Sequence, residues 1–525
     1  MVGVPATNDR SPRRSVSKNM AATGSVATRA VATAGLMLAT LTNTLDTTIA
    51  NVALPHIQGS LSAAQDQITW VLTSYMVGTA IMAPLSGWMA NKFGRKRLFL
   101  ISIVAFVGVS VLCGMATNLP EMMVFRLLQG FAGAAMIPLS QAAILDIWPQ
   151  PVMPQVMAVW SAVVTVAPIL GPTLGGWLTE NYSWRWVFYI NVPVGAVAFL
   201  LVWTGLEPDV IGRRRPFDLL GYGALVLFTA AIQLMFDRGP SQDWFDSREI
   251  WVWAIIATCG VYVFIMQTIT SEHPFFPRDL FIDRNFVSTM IFSIVVSAVL
   301  FSTSALLPIM MQTLLGYSPM QSGVASAPRG LGSILALTFV PWMASRFGPR
   351  RTMAVGLLLS VFALWQMGHF DLSMTLGPIE TAGFIQGFGQ GMIMNPMAVL
   401  GFATLAAVHR TEAAVFGNMV RSVAGGLGIA GLQAILTRQS AAAHESLAAH
   451  IVPSDPVISW SLPNFSAAAG GLEAINGEVT RQAAMIGYDA AFGWMSIGCL
   501  FLLPLLFVMR SAKPGADRVI EIHGD

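Results

Sequence analysis

Charged side chains are scarce in this chain. Asp, Glu, Lys and Arg make up 11% of its 525 residues, where a soluble domain carries about 25%. A chain so poor in charge, and 54% hydrophobic, cannot hide its apolar surface in one water-soluble core. Lipid must be the solvent for most of it. Net charge is equally thin: at +2 it excludes the strongly basic surface of a nucleic-acid binder. Cysteine is nearly absent. Cys113, Cys259 and Cys499 fall in separate apolar runs, with neither metal-ligand spacing nor a disulfide framework, and read as apolar filler. His409, Glu412, His444 and His450 show no metal spacing, and no nucleophile–base constellation stands out. A phosphate-binding loop is missing too, so ATP is not the implied energy source. Neither an enzyme activity nor a metal or cofactor is expected.

Long apolar runs are abundant instead. A membrane-spanning helix needs about 20 apolar residues, and fourteen runs qualify. The fold class expected is therefore an all-α polytopic membrane protein. No cleavable signal peptide is visible. Residues 1–29, rich in Ser, Thr and Arg, read as a disordered cytoplasmic tail, and residues 511–525 as a second tail. Basic residues set the orientation. With the N-terminus in the cytoplasm, the inner segments hold 21 Lys and Arg and the outer ones five. Arg126, Arg329 and Arg421 lie inside apolar runs. Both termini are then cytoplasmic.

One block of eleven residues occurs twice: GWMANKFGRKR from Gly87 to Arg97 and PWMASRFGPRR from Pro341 to Arg351, with six identities. Each copy joins two apolar runs. A basic hairpin repeated in two halves of a membrane chain points to internal duplication. Eight runs separate the copies, where a plain six-plus-six duplication would give six. Two helices are therefore inserted between the halves. The expected layout is a six-helix bundle over residues 30–206, a linker and inserted pair over 207–277, and a second six-helix bundle over 278–510. That second bundle includes a long outer loop, 438–485, whose Ser440–His450 and Glu473–Ala484 stretches read as two short amphipathic helices.

These features resemble the major facilitator superfamily, and specifically its 14-helix drug:proton antiporters of the EmrB/QacA type. Gly87–Arg97 looks like the family's signature hairpin. Leu45–Pro55 (LDTTIANVALP) resembles its first-helix signature, Arg126–Gly130 within FRLLQG its fourth-helix signature, and Gly171–Gly176 (GPTLGG) its fifth-helix antiporter signature. Trp184–Gly195 (WRWVFYINVPVG) matches the sixth helix, and Asp237–Ile250 looks like the EmrB branch. The resemblance implies export of amphipathic drugs across a bacterial inner membrane, driven by the proton gradient. It also implies a periplasmic membrane-fusion adaptor and an outer-membrane channel as partners. Gly87, Asn91, Gly94 and Arg95 would be gating residues. Asn91 stands where the family usually has Asp, with Ser345 in the second copy, so an acid's gating role does not carry over. A narrow-specificity metabolite exporter, a symporter and a non-transporting receptor are the rival readings.

Asp46 is the sharpest candidate for coupling. A charged residue within a spanning helix costs about 2.5–3.5 kcal/mol on insertion scales. At 1.5 Å per residue, Asp46 lies about 22 Å from the inner face, and Arg126 about 21 Å. The expected roles are Asp46 as proton carrier and Arg126 as the neighbour that biases it; a static ion pair is the alternative. Gly171, Pro172, Gly175 and Gly176 supply a hinge or seal, or plain close packing. Arg329 and Arg421, near the midplane, either hold an anionic substrate or bond to backbone carbonyls at helix breaks. Asn43, Thr47, Asn51, Gln129, Gln141, Gln312 and Asn395 are the remaining candidates for the substrate cavity.

Overall fold

A computed structural model describes residues 25–64, 67–149, 152–207, 217–402, 404–405, 410–451 and 470–509. Among these residues there are helices and turns and no strands. The first part of the chain forms α1 (Val26–Leu61), α2 (Trp70–Phe93), α3 (Arg95–Met115), α4 (Leu119–Gly133), α5 (Met136–Ile147), α6 (Met153–Asn181), the single turn α7 (Trp186–Tyr189) and α8 (Asn191–Gly205). Then come α9 (Leu219–Arg238) and α10 (Arg248–Thr270), a helical hairpin. The rest forms the short α11 (Asp279–Ile282), α12 (Arg284–Thr313), α13 (Pro319–Phe347), α14 (Pro349–Met367), α15 (Leu376–Phe402), α16 (Arg410–Ala449) and α17 (Gly470–Leu500).

Nine helical segments among the described residues are long and apolar enough to cross a membrane. The other expected runs fall on the helices α1, α2, α6, α14 and α15. Outward-facing residues are large and apolar, such as Trp203, Trp251, Ile255, Phe362 and Trp365. In water that surface would be a defect; in lipid it is the expected face.

The structure corrects some boundaries. α1 starts at Val26, capped by the Ser25 side chain on the Thr28 N–H, inside the stretch expected to be tail. The stretches expected as two separate outer helices are not separate. Ser440–Ala449 simply continues α16, and Glu473–Ala484 is the start of α17. The two pack against each other, with His444 Nε2 3.1 Å from Asn476 Oδ1. The middle of the expected loop and most of both tails lie outside the described residues.

The two repeat copies are the same turn. Gly94 caps α2 and starts α3 with φ +86° and ψ 144°; Gly348 does the same between α13 and α14 with φ +86° and ψ 152°. That backbone region is open to glycine and strained for other residues. Both copies lie at one end of the helices, called here the hairpin end; the opposite end is the far end. Arg95 at the start of α3 pairs with Asp146 at the end of α5. Next to it, Lys96 donates to the carbonyls of Trp203 (2.7 Å) and Leu206. Thus the basic residues of the first copy tie three helix ends together.

Candidate functional site

Five helices of the first half converge on one buried carboxylate. Asp46 on α1 is fully buried, and Arg126 on α4 is 1% exposed. Arg126 Nη1 donates to Asp46 Oδ2 at 2.6 Å, and its Nε donates to the Val71 carbonyl of α2 at 3.1 Å. The second carboxylate oxygen accepts from Gln129 Nε2 at 3.0 Å and from Asn191 Nδ2 of α8 at 2.9 Å. Ser110 of α3 closes the ring, accepting from Gln129 and Asn191 and donating to the Phe188 carbonyl. The Arg126 guanidinium also lies over the Tyr75 ring, 4.4 Å from its centre, and 5.7 Å from that of Phe188.

Every group touching the Asp46 carboxylate is a donor, and one of them is a cation. The arrangement therefore suits the ionised form. Losing the charge would leave Arg126 buried without its counter-ion, which is costly unless the guanidinium moves or water enters. A carboxylate and a cation held by five helices can thus convert a change of protonation into a change of packing. Gln129, Asn191, Ser110 and Tyr75 complete this site. Gln129 was expected in the cavity; it belongs to the charge cluster instead, because its amide both donates to Asp46 and accepts from Arg126. Asn191 lies within the sixth-helix run but nothing in its spacing singled it out.

The glycine motif on α6 faces two ways. Gly171 and Gly175 press against Thr48 and Ile49 of α1, whereas Gly176 meets the Pro319 backbone of α13. From α13, Gly323 returns the contact onto the Pro172 carbonyl. Thr173 Oγ1 also donates to the Gly323 carbonyl at 3.3 Å. At the ends of the same helices, Glu180 accepts from Ser318 Oγ (2.7 Å) and the Met320 N–H (3.0 Å). Two further bonds join α1 to α12: Asn51 Nδ2 to the Ser304 carbonyl (3.1 Å) and Gln312 Nε2 to the Val52 carbonyl (2.8 Å). All of these lie in the far-end halves of their helices. Among the described residues, the hydrogen bonds joining residues 25–205 directly to 279–509 lie in those halves.

Comparison with known proteins agrees with this architecture. A sequence profile of the Major Facilitator Superfamily matches residues 36–429. The chain belongs to the major facilitator superfamily. Within it, the chain is 34% identical over 487 residues to the fatty acid resistance protein FarB of Neisseria gonorrhoeae, covering 92% of this chain and 96% of that protein. It is 34% identical over 494 residues to the multidrug export protein EmrB of Haemophilus influenzae, covering 92% and 95%. Among solved structures, a bacterial homolog of the human lysosomal transporter Spinster in an inward-facing, unoccupied conformation aligns with TM-score 0.65 at 16% identity. That alignment covers 94% of this chain and all of the other. The chain is thus an EmrB-type member of a transporter family, not an enzyme.

Several cavity candidates have other duties in this family member. Asn51 was expected to line the cavity. Its amide instead caps the Ser304 carbonyl, which Pro308 four residues on leaves without a helical N–H partner. Gln312 likewise bridges helices rather than facing open space. Asn43 is buried against Tyr75, donating to its hydroxyl at 3.1 Å. Thr47 bonds back to the Thr44 carbonyl of its own helix, and Gln141 is exposed.

Arg329 follows the backbone alternative: it donates to the Leu300 carbonyl at 2.9 Å and to Ser304 Oγ at 2.7 Å, both on α12. Arg421 donates to Asn418 on its own helix. Both arginines remain only partly buried. The side chains of Asn91 and Asn395 lie outside the described set. Gly87 has open space around it and could carry a side chain.

Proposed function

We propose that this protein exchanges protons for amphipathic small molecules, exporting them across a bacterial inner membrane. The observation that carries the reading is the buried Asp46–Arg126 pair at 2.6 Å, met only by donors and held by five helices. Proton binding at Asp46 would release Arg126 and loosen the helices that share it. In this reading the chain crosses the membrane fourteen times, as two six-helix bundles with α9 and α10 inserted between them, and both termini are cytoplasmic. The hairpin end then faces the cytoplasm, and the hydrogen bonds gathered at the far end suit the inward-facing half of an alternating-access cycle. The energy source is the proton gradient, with no bound cofactor.

The names of the relatives support drugs and fatty acids as the substrate range. The paired extensions of α16 and α17, beyond the far end, are the surface offered to a periplasmic adaptor that leads to an outer-membrane channel. Reconstitution in liposomes with an imposed pH gradient tests the reading. A lipophilic acid, a lipophilic cation and a neutral dye are supplied in turn. Uptake against its gradient, coupled to proton movement in the opposite direction, is expected for at least the acid. Movement of substrate and proton in the same direction would overturn the antiport reading.

A further inference from the structure

The inserted helix α9 carries a second carboxylate with hydrogen-bond partners inside the protein, and it sits on the reverse side of the same turn of α2 that holds Arg126. Asp237 is the last but one residue of α9, near the far end, and is partly buried. Its Oδ2 accepts from Thr73 Oγ1 of α2 at 2.9 Å, and its Oδ1 from Gln233 Nε2 at 3.0 Å. The Trp70 indole of α2 donates to its backbone carbonyl at 3.1 Å. One turn of α2 therefore has two duties. Trp70 and Thr73 grip Asp237, while Val71 and Tyr75, between and beyond them, accept and stack on Arg126.

The groups around Asp237 set it apart from Asp46. Neither side chain that bonds its carboxylate is charged. Arg238, its neighbour on α9, is engaged by Glu249 of α10 at 2.6 Å. From α16, Gly426 and Gly431 approach Gln233 and Phe236; Arg421 and Arg438 of that helix flank this stretch, and its third arginine, Arg410, is at its start. The turns that follow α9 carry Asp243 and Asp246. On α2 the residues that meet Asp237 are Trp70 and Thr73, neither of them charged.

A hydroxyl can reverse its hydrogen bond, whereas a guanidinium or an amide NH2 cannot. If the Asp237 carboxyl gains a proton, it can donate to Thr73 Oγ1. The Thr73 hydroxyl can then turn to the Trp70 carbonyl, 3.4 Å away. No cation is unpaired and no donor is orphaned. A cavity of about 470 Å³ opens beside this site at the far end. Trp70 and Arg238 are part of its wall, with Ser62, Gln67, Asn118 and Gln242, so water reaches the residues flanking Asp237.

We propose that Asp237 is a second proton-binding residue, at the far end of the inserted helix, coupled to the Asp46–Arg126 pair through residues 70–75 of α2. This rests on the proton-coupled reading for what the proton is used for, but not for whether it binds. The α9–α16 contact gives its protonation a route to the second half of the chain as well.

Infrared difference spectroscopy of the purified full-length protein, titrated with pH and without substrate, tests the proposal. The readout is the carbonyl stretch of protonated carboxyls. Asp237→Asn should lose one pH-dependent component of that band while keeping the component that Asp46→Asn removes. Thr73→Val should shift the midpoint of the Asp237 component, and so should Asp46→Asn, through α2. An Asp237→Asn spectrum matching wild type would overturn proton binding at this residue. Should that variant fail to fold, an unshifted Asp237 midpoint in Thr73→Val would overturn it equally. An unshifted midpoint in Asp46→Asn would refute the coupling. Normal transport by Asp46→Asn would end the antiport reading instead, and leaves these bands to be judged separately.

Discussion

Substituting alanine for Gly176 should push α6 and α13 apart at the far end. A Cβ on Gly176 would stand 2.8 Å from the Pro319 carbonyl carbon and 3.0 Å from the Met320 Cα, and would overlap the Pro319 oxygen. Carbon atoms settle at about 3.5–4.0 Å, so α6 and α13 must part by about 0.7 Å or more. The obstacle is backbone, which cannot swing aside as a side chain can. Overpacking of this kind costs about 1–3 kcal/mol. It acts only where α6 touches α13, so it should change the closed-to-open ratio by about 5- to 150-fold.

Spin labels at Asn181 on α6 and Met320 on α13, both exposed, would report the far-end separation, after replacement of the exposed Cys259. Gly176→Ala should move the distance distribution to longer values. Gly175→Ala should not, because its Cβ would meet Ile49 of α1 within the same half. It should lower thermal stability instead. A folded Gly176→Ala protein with the wild-type distance distribution would refute the idea that this glycine seals the two halves. It would return the motif to ordinary helix packing.

Three further outcomes follow from the same contacts. Arg126→Met should destabilise the protein by about 3–5 kcal/mol, since it strands a buried carboxylate. Adding Asp46→Asn should recover most of the loss in a thermal unfolding assay, and equal losses in single and double variants would contradict the pairing. Gly94→Ala and Gly348→Ala should each cost about 1–2 kcal/mol because of their positive φ, whereas Gly87→Ala, in open space, should stay within about 0.5 kcal/mol in the same assay. Asn51→Leu orphans the Ser304 carbonyl at a cost of about 1–3 kcal/mol; because that bond joins α1 to α12, the variant should lengthen the same spin-label distances.

Much of the site was legible because the membrane restricts what charge can do. An Asp and an Arg at equal depth in separate apolar runs had few other partners, and counting rises along two helices was enough to bring Asp46 to Arg126. The hairpin repeat was legible because its glycine answers a backbone requirement that both copies share. Less was legible where a polar side chain serves another helix's backbone. Asn51 and Gln312 look like cavity residues by type, but the destination of the Asn51 amide is set by Pro308, more than two hundred residues away, and the carbonyl it frees at Ser304. Gln129 and Asn191 were missed as carboxylate donors because neutral amides leave no charge signal. The outer helices were misread as separate because their Ala-rich stretches are polar enough to leave the apolar pattern while still favouring helix.

The central claim is that Asp46 carries the proton. Its most direct test is proton movement in liposomes holding either wild-type protein or Asp46→Asn, under an imposed pH gradient, when a transported lipophilic acid is added. Wild type should discharge the gradient on addition. Asp46→Asn keeps the size and two of the donor contacts of the native side chain; it strands Arg126 and lowers stability, and the folded protein that reconstitutes should leave the gradient standing. Discharge by Asp46→Asn at the wild-type rate would contradict the account.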